Sequence, residues 1–354
     1  MQIDFTIPSQ HTASELGKVN IHKVNQDFQI QCTILMEPTG QDAEGWQTGV
    51  ALDASASMQG WYGRKLLGTV PKEVSKDYQA KGWIQEIVKD QERFLVYQQQ
   101  AYEQAVASGY LKHSENIVQP KAQEFITYLA GNLDSDGGTT LIYWACGEKG
   151  EEIEVVGDFR ETECNSLSVV GPANTPFGSG TRLMPAMKYF VERFSDSPRG
   201  MYLFITDGKL DDLEAVKQYT TQLAGAIAAQ TQNLIKCVLI GVGDQIDESQ
   251  MIELDDLETG TDIDIWDHKI SQDMRDLTEI FAEVVDENNI IAPTGIVYDS
   301  KGQTVKRFTD GLPARLEFVM PATSDWFDLE VGEHRIRQKI VLPERDNSLQ
   351  SRED

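Results

Sequence analysis

The residues best suited to chemistry stand at the end of a short apolar run, where one acid is followed by two hydroxyls. Asp53, Ser55 and Ser57 come directly after residues 50–52, at alternate positions. Asp and Ser favour turns because their side chains hydrogen-bond nearby backbone groups. At this spacing the three side chains can converge beyond a strand as an oxygen-only group, which suits a hard cation such as Mg2+. The same residues also suit a strand-to-loop cap with no ligand.

Two further oxygen donors follow a comparable pattern later in the chain. Asp207 ends the apolar run 201–206, and Thr181 lies in the glycine-rich stretch 175–181 before a predicted helix. In an open α/β sheet, ligands bind outside the carboxyl ends of the strands. We therefore expect five oxygen donors to approach one crevice: Asp53, Ser55, Ser57, Thr181 and Asp207.

The elements that must position this group divide the chain into three parts and a tail. Strand and helix patterns alternate over residues 44–290, which predicts an α/β fold with a Rossmann-like, doubly wound and mainly parallel sheet. Residues 1–43 and 291–343 show alternation of period two, which is typical of strands. We expect these two β segments to pack together as a flanking, β-sandwich-like region. Residues 344–354 are polar and are predicted to be a disordered tail.

A long insertion interrupts the alternating part directly after the first motif. Residues 59–116 separate the first strand from the next predicted helix, and residues 81–108 are rich in Gln, Glu and Ala with helical apolar spacing. We therefore predict a helical insertion. Its aromatic residues Trp61, Tyr62 and Trp83 suit either a partner surface or packing of the insertion onto the domain, and packing is favoured because aromatic side chains dominate cores.

Composition restricts the classes of partner and compartment. The chain has 354 residues and a formal net charge of −26, from 57 acids against 31 Lys and Arg, which disfavours nucleic acid and anionic lipid. No apolar run approaches the roughly 20 residues that span a bilayer, and the first residues lack signal-peptide features. The four cysteines lack Cys-x-x-Cys spacing and are interpreted as thiols in a reducing compartment, three of them beside apolar runs and therefore buried. We expect a cytoplasmic protein.

The motifs together resemble a known family. The order Asp53-x-Ser55-x-Ser57, then Gly180-Thr181, then 205–208 is similar to that of the von Willebrand factor A (vWA) domain with its metal-ion-dependent adhesion site. The resemblance covers about residues 46–287, and residues 134–140 are similar to intracellular prokaryotic members.

The resemblance implies a mainly parallel sheet with one antiparallel edge strand, flanked by helices. It also implies that Ser55, Ser57 and Thr181 hold Mg2+, with Mn2+ or Ca2+ as alternatives, and that Asp53 and Asp207 bind the metal directly or through water.

Three functions are compatible with such a site. The first is a non-enzymatic, metal-dependent protein-binding module, in which a partner's carboxylate fills an open position on Mg2+. The second is an adaptor or subunit of a AAA+ ATPase of the MoxR or chelatase type, or of another multi-protein complex. The third, a Mg2+-dependent phosphate-ester enzyme, is disfavoured because the sequence places no histidine in the motif and has neither a Gly-x-Ser-x-Gly elbow nor a phosphate loop.

Overall fold

The computed structural model describes most of the chain. The described residues are 3–8, 11–35, 45–89, 92–243, 246–272, 274 and 290–341. Residues 275–289, at the end of the part predicted to alternate strand and helix, and the whole of the tail predicted over 344–354 lie outside the described residues.

Strands make up the larger part of the regular structure. In chain order they are β1 (Ile3–Thr6), β2 (Leu16–Val24), β3 (Asp27–Ile34), β4 (Trp46–Asp53), β5 (Leu66–Gly68), β6 (Ile84–Lys89), β7 (Glu92–Tyr97), β8 (Leu111–His113), β9 (Gly138–Cys146), β10 (Glu152–Arg160), β11 (Arg199–Thr206), β12 (Leu234–Gly241), β13 (Trp266–Ile270), β14 (Ile290–Ala292), β15 (Gly295–Asp299), β16 (Thr304–Phe308), β17 (Leu312–Pro313), β18 (Arg315–Pro321), β19 (Trp326–Val331) and β20 (His334–Lys339). The α-helices are α1 (Lys72–Ala80), α2 (Gln99–Ala107), α3 (Val118–Asn132), α4 (Glu161–Cys164), α5 (Met184–Arg193), α6 (Leu213–Ala228) and α7 (Glu248–Asp255). A short 3-10 helix, Ala56–Gly60, follows β4.

The largest sheet lies in the middle of the chain. Its six strands are ordered β10-β9-β4-β11-β12-β13; β10 pairs antiparallel with β9, and the other neighbours pair in parallel. Val50, Ala51 and Leu52 in β4 are fully buried, because α3 packs on one face of the sheet and α5 and α6 pack on the other. Uninterrupted apolar runs are typical of strands that are covered on both faces.

The remaining sheets are small and antiparallel. The two ends of the chain meet where β18 pairs with β3, in a four-stranded sheet ordered β1-β2-β3-β18. A second four-stranded sheet has the order β16-β15-β19-β20. Apolar side chains of both sheets, among them Ile30, Phe318 and Phe327, form one buried cluster.

The fold class predicted from the sequence, a Rossmann-like, doubly wound α/β protein of the vWA type, is wrong for this chain. In the part of the chain that the structure describes, strand accounts for 40% and helix for only 25%. Among the described residues, five of the six sheets are antiparallel. Hydrophobic periodicity identifies single strands and helices, but it does not show which strands pair in the same sheet. The division of the chain into domains stays a prediction.

The insertion is not simply helical either. It contains two helices, α1 and α2, but residues 84–89 and 92–97, predicted as helix, form the antiparallel pair β6 and β7. Ile87 lies opposite Phe94, and a β-branched residue opposite an aromatic one stabilises the pairing of two strands. The spacing of Ile84, Ile87 and Val88 also matches a helix, so the pattern alone was ambiguous.

Two further expectations from the sequence concern the burial of the cysteines and helices that could span a membrane. Cys32, Cys146, Cys164 and Cys237 are all buried free thiols, which confirms the predicted burial of Cys32, Cys146 and Cys237. The reducing compartment stays a prediction. No helix in the described ranges is both long and apolar enough to cross a membrane.

Candidate cation-binding site

The ends of two neighbouring strands bring the predicted acids together. Strands β4 and β11 are adjacent and parallel, with Leu52 opposite Ile205. Asp53 ends β4, and Asp207 directly follows β11. Because parallel strands end at the same edge of a sheet, both carboxylates lie at that edge.

Asp53 is fully buried and is held by two donors. The backbone N–H of Ser55 donates to Oδ1 over 2.7 Å, and the hydroxyl of Thr206 donates to Oδ2 over 2.6 Å. Removal from water, with a smaller effect of the Asp207 charge, raises the pKa of Asp53 to about 7. Its hydrogen bonds favour the charged form but do not outweigh the cost of burial.

Asp207 is joined to the first motif through the two serines. The Ser57 hydroxyl donates to Asp207 Oδ1 over 2.9 Å, and the Ser55 and Ser57 hydroxyl oxygens lie 3.0 Å apart. The other oxygen, Oδ2, accepts a 2.7 Å hydrogen bond from the indole Nε1 of Trp61. Burial raises the pKa of Asp207 above its ordinary value.

Thr181 lies beside this network rather than inside its hydrogen bonds. Its backbone N–H donates to Asp211 Oδ2 over 2.9 Å, and the N–H of Asp211 returns a 2.8 Å bond to the Thr181 carbonyl. Its hydroxyl faces Gly208, where an added Cβ would come within 3.8 Å of Thr181 Oγ1. The structure therefore brings four of the predicted residues into one network and places the fifth next to Gly208.

A glycine fixes the loop that carries Thr181 against the first motif. Gly178 exchanges two backbone hydrogen bonds with the segment after β4: its N–H donates to Ala54 over 2.9 Å, and its carbonyl accepts from Ala56 over 2.8 Å. A Cβ at Gly178 would overlap the carbonyl oxygen of Ala145. The loop can therefore approach the strand this closely only because residue 178 is glycine.

Among the described residues, no positively charged side chain neutralises the two carboxylates of the site. Asp53 is completely buried and Asp207 is 5% exposed, and no lysine or arginine of the described residues pairs with either carboxylate. Buried charges in proteins are normally paired or bound to metals. The two carboxylates and three hydroxyls are the hard oxygen donors that Mg2+ prefers. The residues present therefore fit a divalent cation.

Sequence reasoning did not assign three of the residues at the site to it. Thr206 precedes Asp207 in the motif, and its position at the end of an apolar strand was the signal that could have found it. Tyr62 is buried and its hydroxyl donates to the backbone carbonyl of Asp53 over 2.8 Å, which confirms that it packs the insertion onto the sheet. Trp61 contacts Asp207, which lies 146 positions later in the sequence, and no local sequence pattern predicts such a contact.

A second group of metal-ligating side chains lies elsewhere. Asp255, Asp267 and His268 have ligand atoms within 4.8 Å of one another. However, Lys269 Nζ lies 2.6 Å from Asp267 Oδ2, and His268 Nδ1 lies 2.8 Å from Asp255 Oδ2. Because Lys269 already supplies a positive charge, this group has less need of a cation than the Asp53 and Asp207 pair.

Comparison with known proteins gives distant structural likenesses. No family model matches the chain, and no curated protein matches it. Among solved structures, the PilB minor pilin from Streptococcus sanguinis resembles it with a TM-score of 0.35 and 9% identity, over 80% of this chain and 75% of the pilin chain. A point mutant of the same pilin has a TM-score of 0.34 and 7% identity, over 80% and 76% of the two chains. At these TM-scores the likeness carries no argument about function.

The family assignment made from the sequence is wrong by these findings. No family model supports a vWA domain or its adhesion site, and strand exceeds helix among the described residues. The motif residues are short and common types, so their order alone has a real rate of chance matches.

Proposed function

We propose that this chain binds Mg2+ at the carboxyl ends of β4 and β11, and that the bound cation recruits a carboxylate of a partner protein. The ligands would come from the five residues named above: Asp53, Ser55, Ser57, Thr181 and Asp207. The observation that carries the proposal is the pair of buried carboxylates in one hydroxyl network without a neutralising cation among the described residues. A bound cation would supply the missing charge.

The donor set also supports recruitment of a further carboxylate. Hydroxyl ligands are neutral and quench little of the charge of a divalent ion, so Mg2+ held in part by Ser55, Ser57 and Thr181 stays electrophilic. Mg2+ prefers six oxygen ligands and usually keeps exchangeable waters. A partner's Asp, Glu or terminal carboxylate can replace such a water.

Binding is favoured over catalysis by the partners of the hydroxyls. The Ser55 and Ser57 hydroxyls hydrogen-bond each other, and Ser57 also donates to Asp207. The hydrogen bonds of these hydroxyls in the described part of the chain include no histidine or lysine. A serine nucleophile needs an adjacent base to be activated. The adaptor role with a AAA+ ATPase and the cytoplasmic location remain predictions, with no structural observation in their favour.

Cation binding is tested by titrating Mg2+ into the metal-stripped full chain in a calorimeter. We expect one site in the wild type and its loss in Asp207→Asn, which keeps the size of the side chain. The matched control is Asp134→Asn, because Asp134 is a buried aspartate that accepts bonds from the Thr48 N–H and hydroxyl at the start of β4. Retained binding in the control and loss in Asp207→Asn support the proposal. Absence of binding in the wild type overturns it.

Carboxylate recruitment is tested with a peptide library displayed in Mg2+ and in EDTA. We expect captured peptides to be enriched in Asp or Glu, and to lose binding when that residue is changed to Asn or Gln. Capture that is equal in Mg2+ and EDTA would overturn the recruiting role, even if the cation itself binds.

A further inference from the structure

Trp61 is fixed where the insertion begins and ends. Its backbone N–H donates to the Met58 carbonyl over 2.9 Å, and its own carbonyl accepts from the Ile117 N–H over 3.0 Å. Ile117 directly precedes α3, so the two ends of the insertion are joined at this residue. The orientation of the indole ring is therefore set by the fold and not by a flexible loop.

The indole side chain lies between the ends of two strands. Its Nε1 donates to Asp207 after β11, and its ring covers Gly243 after β12, where an added Cβ would lie 2.8 Å from Trp61 Cζ2. Gly243 has a φ of +89°, so the residue there is glycine for two reasons: its backbone conformation and the ring above it. Trp61 thus contacts Asp207 through a different oxygen from the one that the Ser57 hydroxyl bonds.

This contact divides the two oxygens of Asp207 between different partners. Oδ1 faces the Ser57 hydroxyl, whereas Oδ2 is held by the indole N–H, a donor that carries no charge and cannot accept. A carboxylate restrained in this way presents one oxygen to a cation, directly or through water. Mg2+ uses carboxylates through one oxygen in octahedral geometry, whereas Ca2+ has more ligands and readily takes a carboxylate through both oxygens.

We propose that Trp61 sets the preference of the site for Mg2+ over Ca2+, by holding Oδ2 of Asp207 out of two-oxygen coordination. The inference rests on the proposed cation site and names a specificity residue within it. Trp61 is a positioning residue: it acts on the cation through Asp207. Removal of its N–H donor frees Oδ2 and favours the larger ion.

The test compares Mg2+ and Ca2+ dissociation constants, measured by calorimetry on the full chain, in the wild type and in Trp61→Phe. The matched control is Trp83→Phe, because Trp83 is also a partly buried tryptophan of the insertion but packs against Tyr78, with ring centroids 5.5 Å apart. We expect the ratio of the two constants to shift toward Ca2+ by about tenfold or more in Trp61→Phe, as for loss of a hydrogen bond to a charged group. The ratio should be unchanged in the control.

A second variant separates the N–H donor from ring packing. Site-specific replacement of Trp61 by 3-benzothienylalanine keeps a bicyclic ring over Gly243 but replaces the N–H by sulfur, and we expect the same shift. An unchanged ratio in this variant, or an equal shift in Trp83→Phe, overturns the role of Trp61. If the wild type still binds Mg2+ in that case, the proposed function is not affected. A wild type that binds neither ion overturns both.

Discussion

Replacement of Asp53 by Asn should stabilise the cation-free protein at alkaline pH. The pKa of this carboxyl is raised from 3.8 to about 7, chiefly by burial. The folded state therefore holds the proton more tightly than the unfolded state. The stability that the folded state gains from this tighter proton binding is fully present below about pH 4 and is lost as the pH rises toward 7. At about 1.4 kcal/mol per pKa unit, the ionised side chain costs about 4 kcal/mol, of which about 2–3 kcal/mol falls between pH 5 and 8.

The Asn variant removes this cost and keeps most of the local hydrogen bonds. Its amide oxygen can accept from the Ser55 N–H, and its amide N–H can donate to the Thr206 hydroxyl, which now donates to Asp53. These weaker, uncharged bonds lower the free energy of unfolding by about 1–2 kcal/mol. In EDTA at pH 8 we therefore expect the free energy of unfolding of Asp53→Asn to exceed that of the wild type by about 2 kcal/mol. At pH 5 we expect the two proteins to be equally stable.

The assay is urea denaturation in EDTA at both pH values, repeated in Mg2+. Added Mg2+ should stabilise the wild type at pH 8 and leave Asp53→Asn unchanged, because binding to the folded state alone shifts stability by mass action. The reasoning is refuted if the variant differs from the wild type equally at pH 5 and pH 8, or if Mg2+ stabilises both proteins to the same extent.

Three further predictions concern the supports of the site. Tyr62→Phe should lower the free energy of unfolding by about 1–3 kcal/mol, because it leaves the buried carbonyl of Asp53 without its donor; urea denaturation that shows no loss would contradict this contact. Gly178→Ala should weaken both folding and Mg2+ binding, since its Cβ would overlap the Ala145 carbonyl; calorimetry and thermal melting would show wild-type values if the loop were placed elsewhere. Mg2+ affinity should rise with pH through about 7, because burial raises the pKa of Asp53 to that value and the cation needs the ionised form; a flat profile between pH 6 and 8 would count against Asp53 as a ligand.

The position of Asp53 and Asp207 could be predicted because strand ends are locally marked. Each acid follows a continuous apolar run, and fully buried strands in a parallel sheet have that pattern. The proximity of the two acids then follows from the pairing of β4 with β11. The fit of the site to Mg2+ stays a prediction that the geometry supports.

The pairing of β6 with β7 could not be predicted from the residues of β6 alone. Ile84, Ile87 and Val88 satisfy a helical spacing, and Gln and Glu are good helix formers. Pairing with Phe94 and Val96 decided the outcome, and such cross-strand contacts depend on context more than intrinsic propensity does. The same limit explains the wrong fold class, because period-two segments at both ends of the chain reveal strands but not the sheets they form.

The Trp61 contact shows a different limit. Its ring reaches Asp207 only because the fold joins the start and end of the insertion at its backbone. Nothing in the residues around position 61 distinguishes such a tryptophan from one that only packs a core, so only the three-dimensional arrangement reveals its place in the site.

The most direct measurement of the central claim is an anomalous difference map from crystals of the full chain soaked in Mn2+, which replaces Mg2+ at oxygen sites and scatters anomalously. The account predicts a peak among Ser55, Ser57, Thr181 and Asp207, and no such peak in crystals of Asp207→Asn. A wild-type map with no peak there, or with its only peak beside Asp255 and His268, would contradict it.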